Sequence, residues 1–217
     1  MSLKKRFSDT DLQRIKVAVQ IAESKVSGEI VPVFVESSST YPIANLRGAG
    51  LLGGLTFLSI IIASRFSESL IVNSPLPIFF IVLLGAIAGL IISEHFIVVK
   101  RLLVGQSQMD LFTRHRAERA FLEEEVFNTR QRTGIMILVS FFEREVIVLA
   151  DKGISNVLHQ NEWDSVVKQL TNKIKYGDVV NGMIETIERC TEILLKYNFV
   201  KTSEDENELK DDLRFKI

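Results

Sequence analysis

The 217-residue chain alternates between three hydrophobic patterns, and each predicts a different kind of element. After Ser8-Asp9-Thr10-Asp11, the residues Leu12, Ile15, Val19, Ala22 and Val26 recur on one face at helical spacing. Ser8 is placed to cap that helix, Asp11 sits at its third position, and Gly28 is placed to end it. Glu29 to Val35 is β-rich, with Pro32 arguing for an edge position or a bulge. Ser107 to Asn128 reads as a long charged helix. Met109, Phe112, Ala120 and Phe127 share one face of it, interrupted by Arg116 and Glu123. Gly134 to Phe142 is an almost continuous apolar run, the signature of a central strand covered on both sides. After the short break at Glu143-Arg144, which is expected to face solvent, Glu145 to Ala150 completes an antiparallel hairpin, and Asp151-Lys152-Gly153 turns the chain. Two amphipathic helices follow, one marked by Trp163, Val166, Val167, Leu170 and Ile174, the other by Val180, Met183, Ile184, Ile187 and Leu194.

The third pattern is apolar without periodicity. From Arg47 to Val99 the only charged side chains are Arg47, Arg65, Glu68 and Glu94, separated by uncharged runs of 17 and 25 residues. A hydrocarbon core of roughly 30 Å takes about 20 helical residues. The second run is long enough, and the first reaches that length with Leu46 and a snorkelling arginine at each end. Glycines 48, 50, 53 and 54 match 85 and 89, so the two helices can approach closely, and Pro75 and Pro77 sit where the second begins. A buried helical hairpin of a soluble protein is the competing explanation, but a domain of this size cannot cover two such helices on every side. The expectation is a transmembrane hairpin over 46–99, with spans at about 47–65 and 76–98.

Neither flank has a complete core of its own. One sheet assembled from both sides, with helices on each face, solves this: an α/β/α sandwich with a mixed sheet, interrupted by the hairpin. Residues 8–40 and 105–199 then form one discontinuous domain, and 200–217 are a charged, flexible tail. Lysines and arginines flank the outer ends of both spans, while the intervening loop offers only Arg65. Behind its first basic residues the chain has no apolar stretch of the secretory kind. Both termini are therefore expected in the cytoplasm and the protein in the inner (cytoplasmic) membrane. A formal net charge of -1 lacks the footprint of a nucleic-acid binder. The expected partners are the lipid bilayer, whose anionic headgroups suit the basic run from Lys100 to Arg119, and a membrane protein or a second copy of the chain.

The order of elements, together with Thr129 to Ile154 (TRQRTGIMILVSFFEREVIVLADKGI), Ser27-Gly28-Glu29-Ile30, Trp163 and Tyr176-Gly177-Asp178, resembles the TPM domain family. That family includes the thylakoid lumen and photosystem II repair proteins of plants. The likeness is greatest to the membrane-embedded bacterial subfamily with a transmembrane hairpin after the first strand, and it extends over residues 8 to about 199. It implies an α/β/α sandwich, divalent-cation binding as in some members, and the acid phosphatase activity proposed for plant ones. Roles in photosystem repair or respiratory-complex biogenesis have been assigned within the family. A domain facing the cytoplasm departs from relatives that export theirs, so the lumenal roles do not carry over.

Candidate chemistry is sparse. No nucleophile elbow, zinc-protease helix, P-loop, dinucleotide fingerprint or EF-hand spacing is present. His95, His115 and His159 lack metal-ligand spacing, and Cys190 lies on an apolar helix face as a small buried thiol. The best constellation pairs Glu29, which opens the first strand, with Asp151, which closes a later one. If the strand ends converge, the two carboxylates supply hard oxygen ligands for Ca²⁺ or Mg²⁺. Arg132 and Thr133 are placed to hold an anion or to anchor Asp151. The plainer reading is an Asx turn at Asp151 with a surface ion pair nearby. Two functions follow: a membrane-anchored interaction or assembly module able to bind a divalent cation, or a metal-dependent phosphatase or related hydrolase using Asp151 and Arg132.

Overall fold

The computed structural model describes residues 3–66, 74–159, 161–202 and 208–216. The segment between the two apolar helices, with Glu68, and part of the expected tail lie outside these residues. Two compact units are formed, one from Met1–Ser38 with Asp110–Ile217, the other from Ser39–Met109.

In the first unit a short 3-10 turn, Leu3–Arg6, precedes helix α1 (Asp9–Glu23). Ser8 and Asp11 close a reciprocal capping box at its start, each side chain accepting the other's backbone N–H. Strand β1 (Glu29–Val35) follows, and the chain then passes into the second unit. It returns along helix α5 (Gln106–Glu123) to strands β2 (Gly134–Ser140) and β3 (Glu145–Ala150), the four-residue helix α6 (Lys152–Ser155), helices α7 (Asn161–Lys175) and α8 (Val179–Lys196), and strand β4 (Arg214–Lys216). The sheet runs β3-β2-β1-β4 and is mixed. β2 and β3 form the expected antiparallel hairpin, while β1 pairs in parallel with β2, Glu29 opposite Gly134 and Val35 opposite Ser140.

Alternation along β1 and β2 sends their aliphatic and aromatic side chains into two cores, one on each face of the sheet. Ile30, Phe34, Ile135, Ile137 and Val139 pack under α1, α7 and α8, with Ile15, Val19, Trp163, Leu170, Met183 and Ile187. Val31, Val33, Val35, Met136 and Leu138 face Ala117 and Ala120 of α5 and Val126. The predicted α/β/α sandwich is thus the observed one. Helix α5 stops short of Asn128, because Glu125 adopts a left-handed backbone (φ 52°) and Val126 turns back to bond Phe121. That turn lays Val126 directly on Gly134, where a Cβ would collide with the Val126 carbonyl.

β1 is not the edge strand that Pro32 suggests, since it lies between β2 and β4, but the side of β1 that Pro32 faces is unpaired at that position. The N–H of Glu29 and the carbonyl of Val35 point to β2, whereas the Ile30 N–H points outward to Glu23. Pro32, two residues on from Ile30, shares its outward aspect, and β4 joins β1 only at Val33–Val35, beyond the missing donor. β4 itself departs from the expected flexible tail. Phe215 packs on Phe7 and Phe34, with ring centroids 5.9 and 6.1 Å away. Arg214 pairs with Glu124 at 3.0 Å, and Lys216 with Glu123 and Glu124. Charge-rich composition hid a strand whose one aromatic residue closes an aromatic cluster.

The hairpin turn also differs from expectation. Arg144 is exposed with a left-handed backbone (φ 55°), but Glu143 is only 2% exposed. Its carboxylate accepts the Ser38 N–H at 2.8 Å, the Ser37 hydroxyl at 3.4 Å and the Ser140 hydroxyl. A buried carboxylate is tolerated because these donors satisfy it, and it fixes the point where the chain leaves β1.

In the second unit, helices α2 (Pro42–Ser64) and α3 (Pro75–His95) pair along a seam of small residues. Both are long and apolar enough to cross a membrane. A Cβ on Gly48 would lie 2.7 Å from the Gly89 carbonyl oxygen, and one on Gly53 would lie 3.2 Å from the Ala86 Cβ. Gly50 and Gly54 face open space instead, so only part of the glycine pattern belongs to this seam. The second helix ends at His95, short of the expected limit at about 98. Phe96 takes an extended backbone (ψ 100°), and a separate helix α4 (Ile97–Val104) begins.

Gly89→Val is expected to destabilise the helix pair by about 2 kcal/mol through overpacking, while Gly50→Ala is neutral or slightly stabilising. Thermal melting of helical circular dichroism in detergent tests the difference. Phe215→Ala should cost about 2 kcal/mol, less than a fully buried phenylalanine because Phe215 is half-buried. Fluorescence of Trp163, the single tryptophan and a core residue of the sheet unit, reads that loss.

Candidate functional site

The expected site residues gather at one end of the sheet, where β1 and β2 begin and β3 ends. They separate there into two groups. Arg132 and Asp151 come together. The Nε and Nη2 atoms of Arg132 donate to the two Asp151 carboxylate oxygens at 2.6 and 3.0 Å, a bidentate pair. The Asp151 side chain is 4% exposed and that of Arg132 47%, so the carboxylate is buried beneath a guanidinium that faces solvent. Asp151 also caps α6, accepting the Lys152 N–H at 2.7 Å, and its own N–H donates to Gly134 at 2.9 Å. Arg132 holds a left-handed backbone (φ 58°), and its guanidinium lies 5.6 Å from the Phe127 ring centroid. Gly153 is required beside them. Its N–H bonds the Arg132 carbonyl at 2.9 Å, and a Cβ would lie 2.7 Å from that oxygen.

Glu29 and Thr133 belong to the second group. Thr133 is buried, with its N–H bonded to the Thr129 hydroxyl at 2.9 Å and its carbonyl accepting the Glu29 N–H at 3.3 Å. The Glu29 carboxyl accepts backbone N–H groups of Glu208 and Leu209 at 3.2 and 3.3 Å. Burial raises its pKa and the neighbouring acids add to this, while the two N–H donors oppose it. Both residues line a cavity of about 140 Å³ together with Glu23, Arg130, Lys201 and Glu208; neither Arg132 nor Asp151 lines it.

Glu23 has no counterpart in the sequence reading. It stands at the end of α1, 6% exposed, with one carboxyl oxygen accepting the Ile30 N–H at 2.8 Å and the other buried without a partner among the described residues. Burial pushes its pKa to about 8, helped by Glu29 and Asp211 and opposed by the Ile30 N–H and Lys201. One signal was available: Glu23 lies four residues after Val19, on the helix face that packs on the sheet, a position where a charge is out of place. Glu143 carried no comparable signal, since polar residues in a hairpin turn ordinarily face water.

These geometries bear on an implied Ca²⁺ or Mg²⁺. Calcium takes six to eight oxygen ligands. Asp151 is chelated by arginine, both Glu29 oxygens are engaged by backbone donors, and the two carboxylates belong to different groups. No cluster of three or more His, Cys, Asp or Glu able to hold a metal occurs among the described residues. The residues in this arrangement do not fit such an ion. An anion at Thr133 would meet Glu23 and Glu29 across the cavity, whereas the exposed side of Arg132 is open to one.

Residues 95–193 match the TPM domain model. The match contains β2, β3 and the Arg132–Asp151 pair, and it leaves α1, β1 and nearly all of α2 and α3 outside, a shorter span than the resemblance first suggested. The fold is similar to the NMR structure of BA42 protein from the psychrophilic bacterium Bizionia argentinensis. The TM-score is 0.58 at 18% sequence identity, covering 97% of this chain and 95% of that one. No curated protein matches. The chain therefore has a TPM domain match and a neighbour sharing its α/β fold, and the likeness carries no activity with it.

The sign of the Glu23 shift makes a prediction. Its folded pKa of about 8 lies above the ordinary 4.5, so between those values the folded chain keeps a proton that the unfolded chain has lost. The stabilising effect is complete below about pH 4.5 and is lost as pH rises through about 8, a swing on the order of a few kcal/mol. Glu23→Gln keeps an acceptor for the Ile30 N–H and should flatten this decline. Denaturant midpoints read from Trp163 fluorescence at pH 5, 7 and 9 would show it.

Proposed function

We propose that the chain is a membrane-anchored TPM-like interaction or assembly module with its sheet domain facing the cytoplasm. The carrying observation is the parallel pairing of β1 with β2 across the two apolar helices, which makes the anchor an internal part of the domain rather than an appended tail. Such a domain is held close to the bilayer and suited to gripping or orienting another membrane component. The mutual engagement of Arg132 and Asp151 supports the same reading, since a carboxylate chelated by arginine is poorly placed as a metal ligand or a base. The distribution of lysine and arginine around the two helices favours cytoplasmic termini in the inner membrane.

Membranes bearing the full chain should retain it after alkaline carbonate extraction, and crosslinking in those membranes should yield one species of fixed stoichiometry, with another protein or a second copy. Release by carbonate, or no crosslinked species, would count against the module. Asp151→Ala is expected to lower stability by about 2 kcal/mol, through the lost α6 cap and the lost bidentate pair with Arg132, and to change no catalytic rate. Turnover of p-nitrophenyl phosphate that requires Ca²⁺ or Mg²⁺ and disappears in Asp151→Ala would instead establish the hydrolase.

A further inference from the structure

Helix α4 carries large apolar side chains on its outside. Val98 and Leu102 are four residues apart, hence on one face, and are 79% and 81% exposed. Phe96 and Ile97 extend the same apolar surface at the helix start. Such a cluster marks a surface that lipid or another molecule covers.

Its position along the chain supplies one. Helix α3 has 21 residues, a rise of about 31 Å, enough to use up a hydrocarbon core of roughly 30 Å. The helical path breaks at Phe96, so α4 starts where that core ends and in a new direction. A collar of polar bonds fixes the break. The Asn45 amide donates to Glu94 at 2.7 Å, and Lys100 pairs with the same Glu94 oxygen at 3.0 Å, bridging α3 and α4. Arg47 donates to the carbonyls of Leu103 and Val104 at 2.6 and 2.9 Å. These are C-terminal carbonyls of α4, which the end of a helix leaves without intrahelical donors. Both ends of α4 are thus tied to the start of α2 and the end of α3, while its apolar face stays uncovered.

We infer that α4 is an interfacial helix, lying along the bilayer surface with Phe96, Ile97, Val98 and Leu102 in the boundary between headgroups and acyl chains. The occupant of its exposed face is lipid. Lys100 lies on the other side of the helix from Val98, and Arg101, three residues on from Val98, flanks the apolar face; both stand at headgroup level, the arrangement of helices that rest in an interface about 5–10 Å deep. The geometry makes α4 a float at the mouth of the hairpin: the spans set the depth, and α4 resists tilting of the hairpin. This inference rests on α2 and α3 being spans.

Full-length chains carrying a single bimane label at Val98→Cys, Leu102→Cys, Leu84→Cys in α3, or the exposed Tyr176→Cys separate the possibilities. Cys190 is fully buried, and burial lifts its thiol to about 12, so it stays unlabelled. The chains are reconstituted in phosphatidylcholine–phosphatidylglycerol vesicles and quenched with nitroxide lipids labelled near the headgroup or near the tail end, or with aqueous iodide. The labels at 98 and 102 should be quenched at least about twofold more by the shallow nitroxide than by the deep one, and far less by iodide than the label at 176. The label at 84 should prefer the deep nitroxide. Iodide quenching at 98 and 102 equal to that at 176, with 84 still in lipid, overturns the inference and leaves the spans standing. Quenching by neither iodide nor lipid at 98 and 102 assigns that face to protein and overturns it as well. Iodide access at 84 overturns the spans and the inference together.

Discussion

Parallel pairing of β1 with β2 is the constraint from which the rest of the molecule follows. Parallel neighbours cannot be joined by a tight turn and require a long crossover. Here that crossover contains the whole second unit, and Glu29 meets Gly134 across it. Neither strand has a place without the other. β1 supplies Ile30 and Phe34 to the core under α1, α7 and α8, and Val31, Val33 and Val35 to the core under α5, so losing it would strip both. The entropy of closing so long a loop grows only slowly with its length, which is why an insertion of this size is compatible with the sheet.

At the end of the sheet where the site residues gather, two ways of burying a carboxylate stand side by side. Asp151 is matched by a full positive charge, two parallel hydrogen bonds and a helix N-terminus, a combination that fixes its position. Glu23 has one backbone donor and two acidic neighbours, and it meets the desolvation cost by holding its proton. The first arrangement stabilises the turn after β3. The second leaves a proton in a cavity that any change in its lining would disturb.

Much of this fold is legible from hydrophobic spacing. The α1 stripe and the closing amphipathic pair bury enough side chains to impose a period on the sequence, while β2, covered on both faces, and the two apolar helices are legible as unbroken apolar runs. What escapes is whatever depends on single contacts. β4 has three residues, and its place is set by Phe215 entering an aromatic cluster that only the assembled sheet creates. Glu143 is buried because Ser37 and Ser38, just past the end of β1, and Ser140 of β2 converge on it. The four site residues show the same limit. Spacing placed them at one end of the sheet, but whether Arg132 would reach Asp151 or turn to Thr133 depends on which side of the backbone each side chain leaves, and the left-handed conformation of Arg132 decides that.

The register of β1 also governs the order of events on the ribosome. Its partner strand is made about a hundred residues later, a wait on the order of ten seconds at ordinary elongation rates. Throughout that interval the nascent EIVPVFV segment and the oily stripe of α1 have nothing to close against. Chaperone cover or slow engagement of the newborn N-terminal stretch is thus written into the topology, and the protein's yield in a cell is tied to how well that exposed stretch is shielded until Gly134 to Ser140 emerges.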